Sequence, residues 1–312
     1  MGERPETMKA LRLSLLIIAA IAIGIIYLAW GKPSGLILTQ VRIPRLLLTL
    51  LTGMVLGGVG SVYQLMLSNP LAEPYILGIS SGSAFGSILM GVLGLSLLMP
   101  IGGFAGAMVT MFLVWGLAGR GGGFDRSRLL IGGVITGMFF AAGISLLMYL
   151  FLKDTVVILG TLMGNLGRIF TIGEYRVFLG LAALSLALLF WLYSQSSTLD
   201  IMSGSDLYAG SVGIKVSSLR KRVFVLSSIL IGITVAYAGI IGFVGLIVPH
   251  VARFYVGPSQ KKVYPLSLFI GAFFLLLCDF IAQNITVLEL PVGVITSAIG
   301  CPFFMWLMLK KS

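Results

Sequence analysis

Little in this chain is charged, and less still is suited to hold a metal. Of 312 residues only 10% are charged, one is a histidine (His250), and two are cysteines (Cys278 and Cys301). Both cysteines fall in apolar stretches, which argues against a disulfide framework, and two thiols alone make a poor metal site. One histidine argues against a haem or zinc enzyme. No glycine-rich phosphate loop, paired histidines or His-Glu-x-x-His is present. What fills the chain instead is apolar: 58% belongs to the hydrophobic set, 41 residues are glycine, and mean hydropathy is +1.08. Apolar residues and glycine together reach about 68%, against ~45–50% in a soluble domain. No soluble fold of this length has interior enough for that surface. The chain is read as an all-α, polytopic membrane protein.

A helix needs roughly 20 apolar residues to cross the hydrocarbon layer. On that measure the sequence predicts about ten spans, near 11–30, 44–67, 76–94, 97–118, 129–151, 175–194, 223–239, 243–256, 264–283 and 292–309. The first is longer than the ~7–15 apolar residues of a signal peptide and lacks a small-x-small cleavage site, so it reads as a retained anchor. The stretch Gly239-Ile240-Ile241-Gly242-Phe243-Val244-Gly245 reads as a turn at membrane depth, tolerated only where it is buried in protein or faces a cavity.

The net charge of +11 is informative through its arrangement. With both termini cytoplasmic, most of the Lys and Arg fall inside, in agreement with the positive-inside rule. Lys32, Arg42, Arg45, Lys153, Arg168 and Arg176 fall outside, against it. Gly53, Gly60, Pro70 and Gly78 also match Gly232, Gly239, Pro249 and Gly257 at an offset of 179, with Arg42 matching Lys221. Such a repeat would place span two and span seven in opposite directions, the inverted architecture associated with transport. Among the ten acids, Asp279 is the one most clearly inside a span. It reads either as a proton or cation relay or, more simply, as a structural hydrogen-bonding group.

Two motifs are the sharpest local signals. One runs from Arg42-Ile43-Pro44-Arg45 through Gly53, Gly57, Gly60 and Gln64 to Asn69-Pro70-Leu71-Ala72-Glu73-Pro74. The other runs from Phe243-Val244-Gly245-Leu246 through Pro249-His250 and Arg253. On these the chain resembles the FecCD-type permeases, the membrane subunits of type II ABC importers for iron-siderophores, haem and cobalamin. The resemblance covers about residue 42 to the C-terminus. It implies ten helices per subunit, a permease dimer (most simply a homodimer) with the path between subunits, two cytoplasmic ATPase subunits and an extracytoplasmic binding protein. It also implies a bacterial or archaeal plasma membrane location, with membrane lipid around the chain and no nucleic-acid partner. No metal or cofactor is expected on this chain, ATP and Mg being used by the partner ATPase.

By the same resemblance Arg42 and Arg45 would dock on acidic residues of the binding protein, the plainer reading being interfacial anchors. Residues 199–222 would form the coupling loop within one permease domain spanning 1–312, with Gly204, Ser205, Asp206, Ala209 and Gly213 carried over; a solvated connector is the alternative. From the residues alone, Ser203 or Ser205 is expected to cap a short helix ending at Gly210 or Gly213, with a second short helix leading into span seven. Arg126 and Ser127 would narrow the inner exit, although Arg126 departs from the small hydroxyl residues usual there. Gly133 and Gly137 suit close packing or a pathway wall. Asn69, Pro70, Pro74, Pro249, His250 and Arg253 read as structural, and Met138 and Met148 as packing. The sequence thus points to an importer permease without catalytic residues. Its rival is an ion-coupled secondary transporter using Asp279.

Overall fold

The computed structural model describes residues 18–75, 77–118, 126–152 and 155–310. The start of the first expected span, both chain ends, Arg120, Lys153 and the side chain of Arg126 lie outside the described residues. In chain order the helices are α1 (Ile18–Ala29), α2 (Gly35–Met66), α3 (Ile79–Val92), α4 (Met99–Ala118) and α5 (Arg126–Leu150). Next come α6 (Thr155–Met163), α7 (Ile172–Ser194), α8 (Ser196–Gly204) and α9 (Asp206–Ser211). The last are α10 (Val216–Ala238), α11 (Val244–Val256), α12 (Gln260–Asn284) and α13 (Val292–Lys310). Among the described residues six helices are long and apolar enough to cross a membrane: α2, α4, α5, α7, α10 and α12. The shorter apolar helices α1, α3, α11 and α13 complete the set predicted from hydropathy. The short α6, α8 and α9 carry no span of their own.

The core is built on glycine contacts. α2 and α12 run antiparallel and so close that a Cβ on Gly53 would overlap the Gly271 carbonyl, and one on Gly57 the Ser267 carbonyl. Small residues let helix backbones meet where lipid offers no hydrophobic force to drive them together. α3 and α4 meet in the same way through Gly86 and Gly102.

The two halves repeat in opposite directions. α10 begins beside the end of α2, where Phe224 stacks on Tyr63 at 5.7 Å. It ends beside the start of α2: the Asn165 N–H donates to the Ala238 carbonyl at 2.8 Å, and a Cβ on nearby Gly167 would lie 3.3 Å from Arg45. As α2 packs on α12, α10 packs on α4, and α3 and α11 hold matching places. The repeat therefore lies in element order and packing rather than in one fixed residue offset. Gly60 sits within α2 against Gly245, whereas Gly239 ends α10 with φ +71°, and Pro70 lies in a connector while Pro249 lies inside α11.

The turn expected at membrane depth is present between α10 and α11, and α6 shows how it is satisfied. Ile240 N–H donates to the Thr161 carbonyl at 2.8 Å, the Asn165–Ala238 bond closes the other side, and Val292 N–H bonds Gly164 O at 3.1 Å. A buried break without such partners would leave main-chain groups unpaired, at a cost of several kcal/mol each in order of magnitude.

Candidate functional site: two ends and a cavity between them

At one end of the bundle, Arg45 is buried and its donors are taken up within the chain. Nε and Nη2 donate to Asp279 at 3.1 and 2.9 Å, and Nη1 donates to Glu289 at 2.7 Å. The other contacts of Asp279 come from the Tyr27 hydroxyl at 2.6 Å, Gln283 at 2.9 Å and the Thr49 hydroxyl at 3.4 Å. Both Arg45 and Asp279 are secluded, at 6% and 0% exposure. The guanidinium of Arg45, expected from sequence to face a soluble partner, ties α2 to α12 and to the connector before α13. Arg42 is half-buried, and its Nη1 donates to the carbonyls of Tyr27 and Leu28 at 3.2 and 2.9 Å, so it caps the end of α1. Asp279 is held by an arginine and three neutral donors.

At the opposite end lies the 199–222 segment. The Ser205 hydroxyl accepts the Tyr208 N–H at 3.4 Å and caps α9, while Gly213, at φ +85°, stands beyond its end. The additional short helix is α8, which precedes α9; α10 follows directly as one continuous span, contrary to the expected order. Two carboxylates pin the segment to the bundle. Asp206 accepts Nη2 of Arg220 at 2.9 and 3.0 Å. Asp200 accepts the Gln260 N–H at 2.7 Å and the Ser259 hydroxyl at 2.9 Å, placing a negative charge at the N-terminus of α12. Ala209 is fully buried beneath α9, whereas Leu207 and Tyr208 are 89% and 61% exposed, and Gly204 is exposed as well.

The breaks in α2–α3 and α10–α11 meet one another, their Gln64, Asn69 and Arg253 side reaching Ser203 of the 199–222 segment. Gln64 donates to the Gly245 and Leu246 carbonyls at 3.0 and 3.1 Å, and Arg253 donates to Gln64. The Asn69 carboxamide accepts Leu71 N–H at 2.9 Å, which sets the turn that Pro70 continues. Pro74 is buried beside Gly245, Pro249 is buried within α11, and His250 is half-buried next to it. Gly133 and Gly137 receive the left-handed turn at Gly78, where a Cβ would meet Gly133 O at 2.6 Å and Gly137 N at 2.9 Å. They are packing seats rather than an open wall. Ser127 is exposed at the start of α5.

A cavity of about 820 Å³ opens beside the two breaks, lined by Glu73, Tyr75, Met163, Phe243, Val294 and Ser297 among others. The role of Glu73 was not foreseen from sequence. It lies in the connector before α3 rather than in a spanning helix, and burial pushes its carboxyl up to about 7, offset in part by the Phe243 main chain. Phe243 holds a left-handed conformation, φ +69°, at the start of α11, with its ring where a Cβ on Gly300 would have to go. Such a backbone persists only where its surroundings enforce it, and it marks this break as built for a purpose.

Known proteins place these features in context. The model of the FecCD transport family matches residues 12–310. The protein named "Probable iron chelatin transport system permease protein" of Helicobacter pylori (strain J99 / ATCC 700824) is 34% identical over 282 residues, covering 88% of this chain and 83% of that protein. The vitamin B12 import system permease protein BtuC of Serratia proteamaculans (strain 568) is 34% identical over 287 residues, 90% of this chain and 84% of that one. A solved structure described as an inward-facing conformation of a metal-chelate type ABC transporter superposes with a TM-score of 0.84 at 32% identity, over 98% of this chain and 99% of the other. PsaBC from Streptococcus pneumoniae in complex with Fab shares the fold alone, at a TM-score of 0.61 and 23% identity over 85% and 89% of the two chains. The family match across nearly the whole chain and the close fold likeness make this a multi-pass membrane protein and a transport permease subunit: the chain belongs to the FecCD transport family.

Proposed function

We propose that this chain is the permease of an ATP-driven importer that carries a metal chelate or a cobalamin-type cargo inward through the plasma membrane of a bacterium or archaeon. It works as a homodimer with two cytoplasmic ATPase subunits and an extracytoplasmic binding protein, and both termini are cytoplasmic. The chain binds no cofactor of its own; ATP and Mg serve the ATPase.

The observation that carries this reading is the 199–222 segment. It exposes Leu207 and Tyr208 outward while Asp206 and Asp200 fasten it to α10 and α12. A push from an ATPase on α9 thus passes directly into two helices that pack on α2. Arg220, Arg253, Lys261 and Lys262 fall at or beside this end, in accord with a cytoplasmic face. The cavity of about 820 Å³ beside Glu73 is large enough for a bulky cargo, with Glu73, Tyr75 and Ser297 as polar groups on its lining. With Arg45 buried in its ion pairs, the binding protein is received by exposed residues of the Arg45 end, among them Val287 and Leu288 of the connector before α13, beside the half-buried Arg42. The secondary-transport reading is disfavoured because the carboxylate it drew on from sequence, Asp279, is already paired with Arg45.

Uptake in proteoliposomes separates the two. The chain reconstituted with its ATPase and binding protein is expected to take up chelate only with ATP and Mg. Uptake driven by a pH or sodium gradient in the absence of the ATPase would overturn the proposal.

A further inference from the structure

On the face formed by α4, α7 and α10, away from the cavity beside Glu73, lies a second large opening of about 790 Å³. Phe104 and Ile101 on α4 form one wall, Leu181 and Leu184 on α7 the other, and Ile229 and Ile233 on α10 the floor. All three helices are long enough to cross a membrane, so the groove runs at hydrocarbon depth. An apolar cleft there is filled by something equally apolar, because no water can be satisfied in it.

The groove has one polar mouth, at the end of the bundle that carries Arg45. Arg168 donates one N–H to Glu174 at 3.0 Å and lies over the Tyr237 ring at 5.4 Å and the Phe170 ring at 6.0 Å. That hydrogen bond uses one of the five N–H donors of the guanidinium, and the side chain is 20% exposed. Glu174 also accepts the Thr171 N–H and hydroxyl, both at 3.0 Å, which fixes its carboxylate beside the arginine. The mouth thus presents a fixed cation with spare donors and a fixed anion, side by side, above an apolar trough. A free phosphate or a fatty acid matches only part of this. A purely anionic headgroup would satisfy Arg168 and be repelled by Glu174. A zwitterionic headgroup matches both charges, its phosphate on the guanidinium and its ammonium near the carboxylate.

We propose that this groove is a binding site for a zwitterionic phospholipid, for which phosphatidylethanolamine is the probe, with an acyl chain along α4, α7 and α10, the phosphate on Arg168 and the amine facing Glu174. The proposal stands apart from the transport reading, since it uses none of the residues around the Glu73 cavity or the 199–222 segment. A lipid seated there bridges α7 to the core helices α4 and α10 at a place where protein leaves a gap.

The test uses the full chain reconstituted in bilayers of equimolar phosphatidylethanolamine and phosphatidylglycerol, extracted in mild detergent and examined by native mass spectrometry. The wild-type chain is expected to retain phosphatidylethanolamine at least fivefold over phosphatidylglycerol. Arg168→Ala is expected to abolish that preference. Leu184→Trp, which fills the trough without touching the mouth, is expected to cut retention of either lipid at least fivefold, whereas Phe190→Trp, on the same helix but away from the groove, leaves it unchanged. Equal retention of the two lipids by the wild type would overturn the proposal, as would unchanged retention in both Arg168→Ala and Leu184→Trp. Loss of the chain's dimer in Leu184→Trp with lipid retention intact would assign the groove to a second copy of the chain, and would likewise overturn it.

Discussion

The two ends of this bundle use charge in opposite ways. At the Arg45 end, an arginine, two acids, a tyrosine and a glutamine close on one another: the Arg45–Asp279 pair is sealed inside, and Glu289, 55% exposed, closes it on the outer side. At the Asp206 end the arginine is buried, with its side chain at 3% exposure, but its acid partner is 44% exposed and sits on a short helix that turns Leu207 and Tyr208 outward and Ala209 inward. The first arrangement joins the chain to itself. The second holds up a surface for something else. The lesson is that an off-rule charge in a membrane protein is not by itself a docking site: what its partners leave unsatisfied decides.

The comparison breaks most visibly at the exposed end. Leu207→Asp with Tyr208→Asp leaves α9 capped and pinned but spoils its outward face, and ATP-dependent uptake is expected to fall at least about 100-fold while membrane insertion is unchanged. Radiolabelled chelate uptake and a protease-protection assay read the two effects. At the sealed end the expected effect is on stability. Arg45→Ala strands Asp279 and is expected to cost about 3–5 kcal/mol, seen as a lower midpoint of thermal unfolding in detergent. Arg45→Met with Asp279→Leu removes both charges and is expected to recover most of that loss. A double variant no more stable than the single one would show that the pair is more than a closed structural unit.

A finer effect is expected at Glu73. With its carboxyl held up to about 7, the group is mostly neutral at pH 6 and mostly ionised at pH 8. Glu73→Gln fixes the neutral state, so its uptake rate should match the wild type near pH 6 and diverge from it above about pH 7. Parallel pH profiles would remove Glu73 from the cargo's route. The smallest expected effect is at Arg42, where Ala removes a cation from the carbonyl end of α1 and is expected to cost about 0.3–1 kcal/mol.

Much of the fold is legible in the sequence, because long apolar runs bounded by glycine, proline and charge have few alternatives in a bilayer. The break at residues 239–243 is also legible, since two glycines interrupt an apolar stretch. What supports that break is not. α6 is nine residues long, too short to stand out from its surroundings, and its carbonyls are matched to their partners only in three dimensions. The fate of Arg45 is hidden for a similar reason: its partner Asp279 is 234 residues away, and the two signals flagged separately are halves of one ion pair. The groove beneath Arg168 had no sequence signature at all, since its apolar lining looks like any lipid-facing surface. The polar motifs were easier to locate than to interpret. Asn69, Gln64 and Arg253 pair with the chain itself, so family-like spacing marked where the fold turns rather than where cargo binds.

The most direct test of the account is co-purification of the ATPase with three versions of the chain: wild type, Leu207→Asp/Tyr208→Asp, and Arg45→Met/Asp279→Leu. The ATPase is expected to stay with the first and third and to be lost from the second. Retention by the second would contradict the assignment of α9 as the surface through which ATP hydrolysis reaches the permease.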